Sequence, residues 1–231
     1  MKRPPQITYC QSFPTETRDF ILEKARESIA QRGIFRIALS GGTSPAPVYR
    51  ELVSAKTDWS KWEVTFGDER CVPPDSSESN YRMAAENLLN HVPLPPENIL
   101  RMRGEDPPEK AATTYEKELL ARASGGTYRH DLILLGIGDD GHTASLFPGT
   151  DALTVTDRLV VSNYVPKFDA FRITFTYPLI NASSEVCFMT RYPSKKILLE
   201  GIFEGRSRLR PYPCESVAPL NGGVTWMLDC T

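Results

Sequence analysis

The stretch FRIALSGGTSPAPVYRELV (residues 35–53) decides the fold. Its first five residues form a short apolar run typical of a β-strand, and two glycines interrupt that run directly. Pro45 then opens a pattern typical of a helix through residue 53, since proline suits the first helical turn. A strand joined to a helix by a tight glycine turn predicts half of a βαβ unit.

The same alternation continues along the chain. Ahead of the stretch, the apolar spacing over residues 15–32 predicts a helix that ends at Gly33. Further strands are predicted at 62–67, 98–102, 132–137, 158–164, 172–177, 185–190 and 224–229. Further helices are predicted at 79–90, 108–123, from residue 143, and at 194–203. The pattern indicates an α/β fold with an open, mostly parallel, Rossmann-like sheet, helices on both faces and one antiparallel edge that makes the sheet partly mixed.

Composition limits the classes of function that the chain can have. The 231 residues are 40% hydrophobic and 24% charged, which predicts one globular domain over residues 1–231. A formal net charge of −2 argues against nucleic acid as a partner. The opening residues lack the apolar core of an export signal, and no later apolar run is long enough to cross a membrane, so we expect no membrane association.

The cysteine pattern favours a reducing compartment. Five cysteines, an odd number, contain no C-x-x-C pair, which argues against a disulfide framework and a zinc knuckle and favours the cytoplasm. Cys71 follows a charged cluster, but no histidine lies near it in sequence. A partly buried thiol is therefore favoured over a nucleophile.

Polar and glycine residues gather after three predicted strands, at 40–44, 67–70 and 136–143. In an open parallel sheet, ligands bind beyond the carboxyl ends of the strands, so these turns are the candidate site. At the first turn, Ser40, Gly41, Gly42 and Thr43 suit a phosphate, because their backbone can approach it and the following helix presents free amides. A tight structural turn with Ser44 as N-cap is the alternative.

The second turn carries Asp68, Glu69 and Arg70. An arginine here can bind phosphate or carboxylate through two nitrogens, and the acids can hold the arginine or bind hydroxyl groups. A solvated charge cluster is the alternative.

The third turn contains G-x-G-x-x-G at residues 136–141. A dinucleotide site is rejected, because Asp139 and Asp140 stand where a pyrophosphate would approach and the next strand ends without a ribose-binding carboxylate. Of the three histidines, only His142 lies at a glycine-rich strand end beside acids. A carboxylate-oriented imidazole is a candidate general base, and loop capping is the alternative.

The run GDDGHTASLFP (residues 138–148) resembles the histidine motif of the 6-phosphogluconolactonase family. FGDERCVP (66–73) with SNY (79–81) resembles its second motif, and LSGGT (39–43) its first. RIT (172–174), Lys195 and GVTW (223–226) extend the resemblance over nearly the whole chain.

This resemblance implies hydrolysis of 6-phospho-D-glucono-1,5-lactone by a monomer without metal or organic cofactor, on the fold of the glucosamine-6-phosphate deaminases. It implies that His142, Asp140 and Asp68 act in catalysis. It also implies that the 40–43 turn, Arg70, Arg172 and Lys195 bind the sugar phosphate.

One residue departs from the family pattern, since Tyr192 stands three before Lys195 where relatives carry glycine. Lys196 or Arg191 is therefore an alternative phosphate ligand. Two rival functions are a glucosamine-6-phosphate deaminase and a non-catalytic sugar-phosphate sensor. Against the deaminase, residues 143–148 contain no carboxylate; against the sensor, both His142 and Asp140 are present.

Overall fold

The computed structural model describes residues 4–123, 128–206 and 211–231. Its nine strands are β1 (Gln6–Cys10), β2 (Phe35–Leu39), β3 (Trp62–Phe66), β4 (Asp68–Arg70), β5 (Leu132–Leu135), β6 (Val160–Val165), β7 (Ala170–Phe175), β8 (Glu185–Arg191) and β9 (Gly223–Asp229). Its α-helices are α1 (Phe13–Arg32), α2 (Pro45–Leu52), α3 (Asn80–Asn87), α4 (Pro108–Ala121), α5 (Tyr177–Asn181) and α6 (Tyr192–Phe203). None of these helices is long and apolar enough to cross a membrane.

Six strands form one parallel sheet in the order β1-β9-β8-β5-β2-β3. The predicted open α/β architecture is confirmed. The predicted antiparallel edge is wrong, because β1 pairs parallel to β9 and the antiparallel strands form a separate sheet in the order β4-β7-β6. The chain passes between the sheets at Gly67, whose amide donates to Leu39 and whose carbonyl accepts from Phe175.

Alternating strand residues divide the core into two layers, one on each face of the parallel sheet. Ile37, Leu39 and Leu134 pack with the buried sides of α1, α2 and α3. Ala38 and Leu135 pack on the opposite face with α4, α5, α6 and the small sheet. Both faces are covered, which explains why the central strands read as continuous apolar runs.

Two predicted elements are wrong. Residues 98–102 form no strand beyond an isolated bridge between Val64 and Ile99. No helix starts at Thr143: Ala144 has φ 46°, and the amide of Ser145 donates to the Thr174 hydroxyl rather than to a helical carbonyl. Ser44 likewise makes no side-chain cap on α2, whereas Gly33 ends α1 with φ 77° as predicted.

The strand order reverses between β2 and β5, which are neighbours although β3 follows β2 in sequence. Such a reversal opens a crevice at the carboxyl ends of the two strands. The turns at 40–44 and 136–143 follow these strands, so the fold brings two of the three predicted turns together. The remaining predicted turn, at 67–70, reaches the same crevice as part of β4, because β4 pairs with β7 beside it.

Candidate active site

A cleft of about 560 Å³ lies at this crevice. Its walls include nine of the ten sequence-predicted site residues: Ser40, Gly41, Gly42, Thr43, Asp68, Arg70, His142, Arg172 and Lys195. The tenth, Asp140, contacts Nδ1 of His142. The structure therefore brings all three predicted turns to one site.

The His142 imidazole is oriented by Asp140. Its Nδ1 lies 2.5 Å from Oδ1 of Asp140, and the same oxygen accepts the His142 amide at 3.2 Å. A carboxylate partner places the proton on Nδ1, so Nε2 keeps its lone pair, and Nε2 has no hydrogen-bond partner among the described residues. The ring of Phe147 stacks on the imidazole at 3.9 Å between centroids.

Two glycines allow this turn. A Cβ at Gly138 would lie 2.1 Å from the His142 ring, so any larger residue would displace the imidazole. Gly141 has φ 72°, in the left-handed region, and a Cβ there would meet the Tyr212 side chain at 2.5 Å. The G-x-G-x-x-G spacing thus serves the histidine and not a dinucleotide.

Neighbouring groups stabilise the negative charge of Asp140. Partial burial raises its pKa, but the hydrogen bond and charge of His142 and the ammonium of Lys167 outweigh burial and lower the pKa to about 2. Lys167 lies 3.1 Å from the second oxygen of Asp140. Asp140 is therefore an anion throughout the range in which a histidine titrates.

Arginines from two strands face the cleft together. Arg70 of β4 lies opposite Arg172 of β7 in the antiparallel pairing, so their side chains share one face. Burial, followed by the charge of Arg70, lowers the pKa of Arg172, and its Nε is buried without a hydrogen-bond partner. Arg70 donates to the Glu78 carbonyl, and neither arginine forms an ion pair with a carboxylate of the described residues. The half-buried guanidinium of Arg172 is therefore suited to an incoming anion.

Lys195 faces the same cleft, where its Nζ lies 2.5 Å from Asp139. Of the two alternatives, Arg191 also lines the cleft, while Lys196 points to Glu200 at 3.8 Å on the outer side of α6. The geometry favours Lys195 over Lys196 as an anion ligand.

The 40–43 turn exposes backbone donors. The Tyr49 hydroxyl fixes the backbone of Ser40 through bonds of 3.0 and 2.9 Å, while Oγ of Ser40 is buried without a partner. The amides of Gly41, Gly42 and Thr43 donate no hydrogen bond within the described ranges. These amides are suited to an anionic oxygen.

Asp68 is held by two neighbours rather than by His142. Its Oδ2 accepts from the Ser145 hydroxyl at 2.7 Å, and its Oδ1 accepts from Nδ2 of Asn80 at 3.2 Å. Asn80 also touches the first turn, because a Cβ on Gly41 would lie 1.8 Å from its amide oxygen. Asp68 therefore links the second turn to Asn80, which contacts the first turn, and to Ser145, which follows the third.

Glu69 points away from the cleft and fixes the loop behind it. Its buried carboxylate accepts from the amides of Arg70, Asn80 and Tyr81 and from the Ser79 hydroxyl. Burial raises the pKa of Glu69 in spite of these donors. The acids of the second turn therefore have separate positions, one in the cleft and one in the core.

Sequence reasoning missed Asn80, Phe147, Lys167 and Phe168 as site residues. Asn80 and Phe147 lie inside motif runs, which was the available signal. Lys167 and Phe168 lie at the tip of the β6–β7 hairpin, whose approach to the cleft no local pattern reveals. Cys71 is half-buried, and burial raises its pKa, in accord with the predicted inert thiol.

Residues 11–226 match the family model of glucosamine-6-phosphate isomerases and 6-phosphogluconolactonases. The chain belongs to this family. A 6-phosphogluconolactonase from Nostoc is 43% identical over 216 residues, covering 91% of this chain and 88% of that protein. The rat 6-phosphogluconolactonase is 35% identical over 205 residues, covering 86% and 79%.

Solved structures of the family share the fold. The crystal structure of 6-phosphogluconolactonase from Thermotoga maritima aligns with a TM-score of 0.86 at 29% identity, covering 97% of this chain and 99% of that one. The Trypanosoma brucei enzyme aligns at 0.84 with 27% identity, covering 99% and 97%.

Proposed function

We propose that this protein is a 6-phosphogluconolactonase, which hydrolyses 6-phospho-D-glucono-1,5-lactone to 6-phospho-D-gluconate in the second step of the oxidative pentose phosphate pathway. The observation that carries this assignment is the His142–Asp140 pair, which faces the cationic side chains of Arg70, Arg172 and Lys195 in one cleft. The names of the relatives at 43% and 35% identity support it.

His142 is the general base. Nε2 takes a proton from water as the water oxygen attacks the lactone carbonyl carbon, giving a tetrahedral oxyanion. The bond from that carbon to the ring oxygen then breaks, and the imidazolium returns the proton to the departing oxygen. A positioned base of this kind contributes about 10²–10⁴ in rate. Asp140 stabilises the imidazolium between the two transfers.

The cations hold the phosphate, remote from the reacting carbon, and so orient the lactone toward His142. Arg172 contributes most, because its unpaired Nε gains a partner only when the anion arrives. The free amides of residues 41–43 stabilise the phosphate or the oxyanion, for which one donor is worth about 10²–10³ in rate. Asp68 fixes the turns and binds sugar hydroxyls.

The test generates the lactone from glucose 6-phosphate and follows its hydrolysis by NADPH formed from 6-phosphogluconate, against a blank without enzyme. The blank measures spontaneous opening. We expect the protein to accelerate hydrolysis well above it. A rate equal to the blank would overturn the assignment. Ammonia release from glucosamine 6-phosphate would then indicate a deaminase, and calorimetric binding of 6-phosphogluconate without turnover would indicate a sensor.

We also propose an oligomeric state, a partner and a compartment for the enzyme. The enzyme acts as a single-domain monomer on a small phosphorylated lactone, without nucleic acid, in the cytoplasm. Cys10, Cys71, Cys187 and Cys230 carry free thiols, which suits a reducing compartment. Light scattering at assay concentration tests the monomer, which a dimer mass would contradict.

A further inference from the structure

The tip of the β6–β7 hairpin, residues 166–169, reaches across the cleft to the catalytic pair. Lys167 Nζ lies 3.1 Å from Oδ2 of Asp140, while Nδ1 of His142 lies 2.5 Å from Oδ1. The two carboxylate oxygens are thus divided between an ammonium and an imidazole. Lys167 is distant in sequence from both, and only the hairpin brings it there.

The tip is braced where it meets the site. Asp169 adopts φ 48°, a conformation that costs a non-glycine residue free energy, and it accepts a hydrogen bond from the Tyr164 hydroxyl. Phe168 packs edge-on against Phe147 at 5.7 Å, and Phe147 in turn stacks on His142. The hairpin therefore contacts the imidazole's neighbours on two sides, through Asp140 and through Phe147.

We propose that Lys167 is a positioning residue for lactone hydrolysis, which holds Oδ2 of Asp140 so that Oδ1 faces His142. This inference rests on the proposed role of His142 as the base. An ammonium bonded to one carboxylate oxygen restricts rotation of the carboxylate, so the other oxygen keeps its position at Nδ1 of the imidazole.

Other charged groups face His142 from the elements packed around it. They are Asp68 and Arg70 of β4, Arg172 of β7, Arg191 at the end of β8, and the pair of Lys195 on α6 with Asp139. Replacing Lys167 leaves every one of these groups in place. A change in kcat of a Lys167 variant therefore reports the loss of that one ammonium.

The test measures kcat and KM, with blank subtraction, for wild type, Lys167→Met and Lys167→Arg. We expect Lys167→Met to lower kcat by about threefold, since a part-exposed ion pair has a modest effect. KM is expected to stay near that of wild type, because Lys167 bonds Asp140 and is not one of the proposed phosphate ligands. Lys167→Arg is expected to restore most of the wild-type kcat, because a guanidinium can make the same bond to Oδ2.

Lys61→Met is the matched control. Lys61 is 46% exposed and pairs with Asp58, against 55% exposure for Lys167, and it lies before β3, at the end of the sheet opposite the cleft. Its variant is expected to keep the wild-type kcat. An unchanged kcat in Lys167→Met, or an equal loss of kcat in Lys61→Met, would overturn the inference.

His142→Ala, assayed alongside, separates this inference from the proposed function. Activity retained in His142→Ala would remove the base itself, and with it the reason for any Lys167 effect. An inactive His142→Ala beside a Lys167→Met enzyme with the wild-type kcat would overturn only the role of Lys167.

Discussion

Strand β5 has a histidine near each end, and their surroundings are opposite. His130 precedes the strand and is fully buried between the rings of Tyr128 and Phe175, at 4.9 and 5.2 Å. Its Nε2 lies 2.8 Å from the Thr65 hydroxyl, whose own proton goes to Ile37, so Nε2 is the donor. Burial, and then the charge of Arg36, lower its pKa to about 3.

His142 follows the same strand at the carboxyl end, where the side chain is 24% exposed and a carboxylate accepts from Nδ1. Its free nitrogen faces a cleft. At the amino end, by contrast, the polar groups are buried. Glu63 accepts from Tyr128 at 2.7 Å and pairs with Arg36 at 3.0 Å, and Nδ1 of His130 is enclosed without a hydrogen-bond partner.

The difference explains why we propose His142, and not His130, as the base. Histidine at the amino end satisfies a buried hydroxyl and stays neutral, so it contributes only to stability. The histidine at the carboxyl end bonds a carboxylate through Nδ1, and its Nε2 faces the open cleft, where a proton can be exchanged with a bound molecule. Four predictions test this division, from the largest effect to the smallest.

Asp140→Asn is expected to lower kcat by about 10²–10⁴, because a neutral amide neither fixes the Nδ1 proton nor stabilises imidazolium. Asp131→Asn is the matched change at the amino end, where the carboxylate bonds the Arg36 amide and Arg32. It is expected to cost stability and leave kcat near wild type. Steady-state kinetics on both variants check this, and equal losses of kcat would contradict it.

His130→Ala is expected to lower the free energy of unfolding by about 2–4 kcal/mol, because it removes a ring packed between two aromatic side chains. Its kcat is expected to stay near that of wild type. Urea unfolding and the lactone assay measure the two quantities. A fall in kcat with unchanged stability would place His130 in the reaction instead.

Arg172→Met is expected to raise KM by about 10–100-fold, the effect of losing a charged hydrogen bond to an anion. Its stability is expected to hold or rise, because the guanidinium is buried with Nε unpaired. Arg36→Met at the amino end is expected to have the opposite effects. Its KM is expected to stay near that of wild type, and its free energy of unfolding is expected to fall by about 1–3 kcal/mol because the pair with Glu63 is broken. Matching effects of the two substitutions on KM would break the comparison.

His130 also predicts a pH effect. Its folded pKa of about 3 lies below its ordinary value of 6.5, so as pH falls the unfolded chain takes up this proton first. The contribution is therefore intact above about pH 6.5 and is lost below it, by up to about 1.4 kcal/mol per pH unit. His130→Ala lacks this loss, so its destabilisation is expected to shrink by about 1.4 kcal/mol between about pH 7.5 and about pH 5.5. Urea midpoints at the two pH values measure it, and a constant difference would contradict it.

The buried strands were predictable, because residues such as Leu132 to Leu135 form apolar runs that helices cover on both sides. The short strand β4 was missed, because its Asp68, Glu69 and Arg70 lack strand propensity and are ordered only by β7 and by the donors to Glu69. The helix expected from Thr143 fails for a similar reason. Long-range bonds from Ser145 to Thr174 and Asp68 override the local preference.

Each predicted site residue follows a strand or lies in a motif, and the topology gathers these residues at one edge of the sheet. The local sequence pattern gave no signal for site residues that lie outside the motifs. Lys167 reads as an ordinary surface lysine until the hairpin brings it to Asp140. Similarly, the sequence left Lys195, Lys196 and Arg191 open, and the orientation of α6 turns Lys196 away from the cleft.

The most direct test of His142 as the base is the rate of lactone hydrolysis by His142→Ala, beside wild type, the blank and His91→Ala. His91 is the exposed control, bonded to the Glu86 carbonyl away from the cleft. We predict a loss of about 10²–10⁴ in kcat for His142→Ala alone, with calorimetric binding of 6-phosphogluconate retained. A His142→Ala enzyme that keeps most of the wild-type kcat would contradict the account.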